Sequence, residues 1–373
     1  MSFIRTHSVV LSLSTKRDLK DIRSYNVDQI TCFVGSKLLY CGCQIEKAQK
    51  ISRKTDKRAL EDILIRPSYF QDVSNISMKT SILGQELALP FGIGPVAMQK
   101  VVHTDGEVAS AKAAGSKGSI FVLSSFSTTS IEEIAEKAPE TEKWLQMYIF
   151  KNRTLNSELI KRAENGNFSA IVITVDVPSR GKVCLQYPDF NLPEDLELEN
   201  FPEGTENPSE LISSAFSLDD LKWIINSTNL PVFAKGILTK EGARMARDAG
   251  CKGVIVSTHG GVDRTPSSIE SLPEVVKAVG EDTIVMFDSG IRGGDDIYKA
   301  IAFGAKYVFL GRPALFGLAV DGQKGVEGVL DTLKDELENV MALSGCASLS
   351  DIKRDKVVHW KYYQNLLRSG DEL

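Results

Sequence analysis

VIVSTHGG, residues 254–261, passes from branched apolar side chains directly into Ser257, Thr258, His259 and paired glycines. A short apolar run of this kind reads as a buried strand, and the glycines mark where it ends in a loop. His259 is one of only four histidines in the chain. In an α/β barrel the chemistry sits where strands emit their last side chains, and an imidazole there exchanges protons near neutral pH. A histidine that merely caps a strand end would show the same local pattern, so the rest of the chain has to decide.

Working outward, similar apolar runs recur at Phe91–Ala97, Ser119–Ser125, Trp144–Phe150, Ala170–Asp176, Pro231–Lys235, Thr283–Ser289 and Tyr307–Gly311. Helical patterns lie between them, at Gly106–Ala114, Ser130–Lys137, Leu155–Asn165, Ser217–Ile225, Lys240–Ala249, Ser271–Val279 and Gly294–Phe303. Eight strand–helix alternations predict an α/β fold, a closed (β/α)8 TIM barrel, over the alternative of a doubly wound open sheet. Several strands are apolar throughout, as expected when both faces are covered. Residues 1 to about 85 form an N-terminal segment with a helical pattern in Ser52–Leu64, and 325–344 read as a closing helix. The connection after the fourth strand, Val177 to Asn229, is long, acidic and proline-rich, a length more often functional than ordinary. The whole chain, 1–373, reads as one domain.

Composition narrows the function classes. The 373 residues are 42% hydrophobic and 25% charged, with a net charge of −5. That balance gives no electrostatic case for nucleic acid or an anionic membrane. No apolar run has the roughly 18–20 residues of a spanning helix, and the N-terminus lacks the features of a secretory leader. The six cysteines therefore read as reduced thiols of an intracellular protein, with no partner at metal-ligand spacing, so no metal is expected. Gly370-Asp371-Glu372-Leu373 resembles a retrieval tail of the endoplasmic reticulum but is read as incidental. It is not the Ser-Lys-Leu type of peroxisomal address.

The strand ends collect polar residues. They carry Pro95-Val96-Ala97, Ser124, Gln146 with Tyr148, Thr174 with Asp176, Lys235, Ser257 to His259, Asp288-Ser289-Gly290-Ile291-Arg292 and Gly311-Arg312. The last two sets suit a phosphate: glycines admit close backbone approach, and Arg292 and Arg312 bind oxygens in pairs. A phosphate site after strands seven and eight is a recurrent barrel feature. Lys235 would sit deeper, as a fixed positive charge beside a cofactor ring. Any one of these residues alone has an ordinary structural reading; their convergence predicts a phosphate-bearing cofactor.

The segments ILIRPSYFQDVSNISMKTSILG, GPVAMQKVVHTDGE, LSSFSTTSIEE, LQMYIFKNR, ITVDVP, AKGILTKEGARMARDAG, VSTHGG, FDSGIRGGDDIYKAIAFGA, FLGRP and MALSGC resemble, in this order, the FMN-dependent 2-hydroxy-acid oxidases and dehydrogenases of the glycolate-oxidase type. The resemblance runs from about residue 60 to the end, and more loosely upstream. It implies that Pro95, Val96, Ala97, Ser124, Gln146, Thr174, Lys235, Ser257, Asp288 to Arg292, Gly311 and Arg312 surround FMN. It also implies that His259 takes a proton from substrate, with Asp176 orienting it, Tyr148 nearby and Lys235 stabilising negative charge at the reduced flavin. A homo-oligomer, tetramer or octamer, and a peroxisomal or cytosolic location are further implications.

The chain departs from that family where the substrate carboxylate is held. Val262 follows His259 where an arginine is expected, and Val183 stands at the second arginine position, in Ser179-Arg180-Gly181-Lys182-Val183. Gly42 falls at the position of a carboxylate-binding tyrosine, and Phe126 replaces a substrate-contacting tryptophan. Losing two arginines and a tyrosine would remove roughly 4–7 kcal/mol. Tyr40, Arg180, Lys182 and above all Arg264 are the candidate replacements. The expected function is oxidation of a 2-hydroxy acid to a 2-oxo acid with O2 reduced to hydrogen peroxide, with activity on glycolate or lactate in doubt. The alternatives are an FMN-binding homologue with lost or altered activity and, more weakly, an FMN barrel for phosphorylated substrates.

Overall fold

The computed structural model describes residues 56–177, 192–202, 205, 208–260 and 265–369. Eight parallel strands close into a barrel: β1 Phe91–Ile93, β2 Ile120–Ser124, β3 Glu142–Met147, β4 Ala170–Thr174, β5 Val232–Lys235, β6 Gly253–Val256, β7 Ile284–Phe287 and β8 Tyr307–Leu310. Each strand pairs with its sequence neighbours, and β8 pairs back onto β1. All eight apolar runs of the sequence are barrel strands. Most end before the last residues of their runs, whose polar side chains leave the ladder to enter loops.

The helices that follow the barrel strands are α1 Gly106–Ser116, α2 Ile131–Lys137, α3 Arg153–Asn165, α4 Leu218–Asn226, α5 Lys240–Asp248, α6 Ser268–Val279, α7 Gly294–Ala302 and α8 Arg312–Leu343. Their starts follow from local chemistry. Ser130, Asn152 and Thr239 each accept a first-turn amide, and Ser217 and Ser267 form reciprocal capping boxes with Asp220 and Glu270. Such caps satisfy amides that the helix itself leaves unpaired.

One expectation is corrected here. The helical pattern read over Ser52–Leu64 is helical only for 56–61 among the described residues. Ile63–Ile65 is instead a strand, antiparallel to Val357–His359. Pro67 disfavours helix in the residue before it, and the pairing with the distant C-terminal strand supplies the hydrogen bonds. The closing helix expected over 325–344 is the second, longer part of α8. α8 is broken at Asp321 and Gly322, whose backbones are non-helical, so a short helix precedes the long one.

Period-two alternation sets what faces the barrel axis. Ile120, Val122, Trp144, Ala170, Val172, Phe233, Ile255, Met286, Tyr307 and Phe309 form one buried interior cluster. Trp144 stacks on Phe233 at 4.7 Å. A hairpin, Thr80–Ile82 with Gln85–Leu87, contributes Ile82 and Leu87 to that cluster. Continuing the same alternation one step brings in Ser124, Gln146, Thr174, Lys235, Ser257 and Asp288. The interior therefore changes from apolar to polar at one level, the C-terminal mouth.

Candidate active site

A cavity of about 320 Å³ opens at that mouth, within the roughly 300–1,000 Å³ of small-molecule and cofactor sites. Its lining includes Pro95, Val96, Ala97, Ser124, Gln146, Tyr148, Thr174, Lys235, His259, Asp288 to Arg292, Gly311 and Arg312. Thus every sequence-predicted cofactor residue lines one cavity except Ser257. Ser257 is fully buried and accepts a hydrogen bond from Lys235 Nζ at 3.1 Å. Asp176 stands behind His259 rather than on the wall. Strand register explains part of the convergence: Ser124 is level with Gln146, and Thr174 with Lys235.

His259 Nδ1 and Asp176 Oδ1 are 2.8 Å apart. A carboxylate there accepts from Nδ1–H, which leaves Nε2 as the basic nitrogen. Burial pushes the Asp176 carboxyl up, but the charge and hydrogen bond of His259, with Lys235, outweigh it and hold the group below its ordinary value. The pair therefore carries a carboxylate able to stabilise an imidazolium. His259 has a left-handed backbone, φ 53°, a region in which histidine is enriched among non-glycine residues.

Lys235 Nζ also lies 3.5 Å from Asp288. This places one ammonium between Asp288 and Ser257 on the cavity floor. At the other end, Gly311 leads into α8 with Pro313 at its start. A side chain at Gly311 would meet nothing within 4 Å, so the space above this helix N-terminus is open. Gln146 donates to Thr174 Oγ1 at 2.8 Å, leaving its carbonyl and the threonine hydroxyl proton for other partners.

One wall is aromatic. Phe126 and Tyr148 lie 5.1 Å apart, with Phe201 5.4 Å behind Phe126 and packed edge-on against Phe150. Gly94, Gly260, Phe309, Leu310 and Leu315 also line the cavity and were not picked out in the sequence. The inward alternation through Tyr307 and Phe309 was the signal available for Phe309. Gly42, Tyr40, Arg180, Lys182, Val183, Val262 and Arg264 lie outside the described residues. Among the described residues no group of three or more histidine, cysteine or acidic side chains could hold a metal ion, and no helix is long and apolar enough to cross a membrane.

Comparison with known proteins agrees in cofactor and fold. The model of the FMN-dependent dehydrogenase family matches residues 43–359. Glycolate oxidase 3 of Oryza sativa subsp. indica is 43% identical over 321 residues, covering 82% of this chain and 87% of that protein. Glycolate oxidase of Spinacia oleracea is 42% identical over 319 residues, covering 81% and 86%. A solved structure of a mandelate oxidase variant with (S)-mandelic acid is similar at TM-score 0.79 and 33% identity, covering 88% of this chain and 96% of that one.

Proposed function

The chain belongs to the FMN-dependent dehydrogenase family, and we propose that it is an FMN-dependent 2-hydroxy-acid oxidase. The reaction is R–CHOH–COO⁻ + O2 → R–CO–COO⁻ + H2O2. The observation that carries this reading is the meeting, in one cavity, of the His259 imidazole, paired behind the wall with Asp176, with a lysine-centred polar floor and an open helix N-terminus. The relatives of matching length are oxidases by name, which favours turnover over a chain that has lost it.

The cavity suits FMN on its own chemistry. Gly311 leaves open space over the start of α8, where backbone amides and Arg312 favour a phosphate. Asp288 to Arg292, Pro95 to Ala97, Ser124, Gln146 and Thr174 line the same cavity and offer donors and acceptors to the rest of the cofactor. Bound FMN would supply the acceptor for two electrons from the substrate C–H bond, with O2 as the final oxidant. Lys235 supplies a fixed positive charge where those electrons arrive, the tuning role of protein in flavin chemistry. His259 Nε2 takes the hydroxyl proton; Asp176 holds the ring in the required tautomer and stabilises its cationic form. Tyr148 and Phe126 border the substrate.

The substrate side is the divergent part. With Val183 and Val262 at the expected arginine positions, the aromatic wall carries more of the binding, and the favoured substrates are longer or more apolar than glycolate. Arg264 is the first candidate for a substitute carboxylate partner. Assembly as a tetramer or octamer, and a peroxisomal or cytosolic location, go with the family reading. The decisive experiment is anaerobic mixing of FMN-loaded protein with glycolate, L-lactate, 2-hydroxyoctanoate and (S)-mandelate while following flavin absorbance. Bleaching by at least one is expected; no bleaching by any of them, with FMN bound, overturns the oxidase reading.

A further inference from the structure

The loop between β6 and α6 carries His259, and its two feet are fastened by one residue from outside the barrel. Asp56 is 4% exposed and sits on the helical stretch 56–61 that precedes the first strand. Its Oδ2 accepts from Thr258 Oγ1 at 2.7 Å, on the strand side of the loop. Its Oδ1 accepts from the Ser268 amide at 3.1 Å, at the first turn of α6. One carboxylate thus joins Thr258 to Ser268.

The loop has reason to need fastening. His259 holds a left-handed backbone, and so does Ser289 beside it, φ 79°. Non-glycine residues persist in that region only where the surroundings over-determine it. Three consecutive amides are held by hydroxyls: Thr258 N and Gly260 N by Ser289 Oγ, and His259 N by Ser257 Oγ. Asp56 also packs against the neighbouring turn after β7 that carries Ser289, since a side chain at Gly290 would come 3.2 Å from Asp56 Cβ. The hydroxyls fix the turn locally; Asp56 fixes it to the rest of the molecule.

We propose that Asp56 is a positioning residue for His259, holding the imidazole in line with Asp176 by tying both feet of its loop. This rests on the reading of His259 as the base. Asparagine at 56 can retain both contacts, its carbonyl accepting from Ser268 N and its amide donating to Thr258 Oγ1; alanine retains neither. Thr258→Val removes one contact from the other side and leaves Asp56 in place.

The test compares Asp56→Ala, Asp56→Asn, Thr258→Val and the Asp56→Ala/Thr258→Val double variant as FMN-loaded proteins. The probe is whichever of the four hydroxy acids above bleaches the wild-type flavin fastest. Asp56→Ala is expected to slow flavin reduction at saturating substrate by about tenfold or more, because small misplacements of a catalytic group are costly. KM and FMN affinity should change less than about threefold, Asp56→Asn should recover most of the rate, and the double variant should be no slower than Asp56→Ala. A second readout is the downfield proton resonance of the His259–Asp176 bond, identified by its absence in His259→Ala. It should shift or broaden in Asp56→Ala and Thr258→Val but not in Asp56→Asn. Should Asp56→Ala fail to fold, Thr258→Val carries the test with the same expected direction. Wild-type rates and an unmoved resonance in the folded variants overturn the proposal, as does Asp56→Asn behaving like Asp56→Ala. If His259→Ala instead reduces flavin normally, the base assignment falls, and the resonance still decides whether Asp56 positions the ring.

Discussion

Asp176 Oδ1 stands 2.8 Å from His259 Nδ1, joining the end of β4 to the end of β6 across β5. The other carboxylate oxygen, Oδ2, is buried with no hydrogen-bond partner in the structure. The imidazole is thus the principal partner of a nearly enclosed carboxylate, and its charge, with that of Lys235, keeps the acid ionised against burial. That is the arrangement in which a buried carboxylate acts through a histidine rather than as an acid itself.

Asp176→Asn keeps the shape and removes the charge. An asparagine amide facing Nδ1 favours the tautomer with its proton on Nε2, the wrong form for a base. Flavin reduction should fall by about 10²–10⁴-fold, with FMN still bound. Stopped-flow absorbance under anaerobic conditions measures the rate, and a loss smaller than about fivefold would count against the pairing as catalytic.

Gly236, immediately after β5, limits where Asp176 can be. Its φ is +103°, and a Cβ there would lie 2.5 Å from both Cβ and Cγ of Asp176. Gly236→Ala should therefore displace the carboxylate as well as strain the turn. The expected cost is about 1–3 kcal/mol of stability together with slower flavin reduction. Thermal melts and stopped-flow traces on the same preparation check this; wild-type values in both would show that the turn relaxes freely.

The sequence was most legible where one physical rule governed many residues. Continuous apolar runs located all eight strands because a doubly covered parallel strand has no polar face to confuse the pattern. The site was legible for the same reason: alternation through Val122, Val172 and Ile255 leads directly to Ser124, Thr174 and Ser257. What sequence could not supply depends on distant partners. Ile63–Ile65 becomes a strand only because Val357–His359 lies beside it. Asp56 looks like any acidic residue in a helical pattern until Thr258 and Ser268 close over it. The kink at Asp321 and Gly322 likewise has no periodic signature, since both flanking segments remain helical.

Lys235 neutralises Asp288 at 3.5 Å in a nearly closed setting. Lys235→Met keeps the stem and deletes the charge, leaving a carboxylate close to where FMN is proposed to bind. Removing one partner of a buried pair costs about 3–5 kcal/mol at most. Both FMN affinity and thermal stability should fall, and the effect on FMN should exceed that of Ser124→Ala. Calorimetric titration of the apoprotein with FMN checks the order; unchanged affinity in Lys235→Met would remove the lysine from the cofactor site.

Asp56 also predicts a pH effect. Burial raises its carboxyl above the ordinary 3.8, outweighing the bonds from Thr258 and Ser268, and the Asp288 charge pushes the same way while Arg312 opposes it. The folded protein therefore binds this proton more tightly than the unfolded chain. Between about pH 3.8 and the raised folded value, stability falls as pH rises. Asp56→Asn lacks that slope, so its melting temperature relative to wild type should rise from about pH 4 towards pH 7. A constant difference across that range would mean the carboxyl titrates normally.

The aromatic wall makes the substrate prediction. Phe126 and Tyr148 face the cavity 5.1 Å apart, backed by Phe201 and Phe150, and valines occupy both sequence positions where carboxylate-binding arginines were expected. Glycolate has almost no body, so nearly all its affinity must come from the carboxylate. (S)-Mandelate adds a phenyl ring whose burial contributes about 25 cal/mol per Å² of apolar area. Catalytic efficiency should therefore favour (S)-mandelate or 2-hydroxyoctanoate over glycolate by about tenfold or more. Phe126→Ala should erode that preference by raising KM for the larger acids while leaving glycolate nearly unchanged. Steady-state peroxide production across the four acids, in both proteins, measures it. Glycolate turnover as efficient as that of mandelate in the unmodified protein would mean that a carboxylate partner compensates for the two valines, and Arg264→Ala would then be the variant that exposes it.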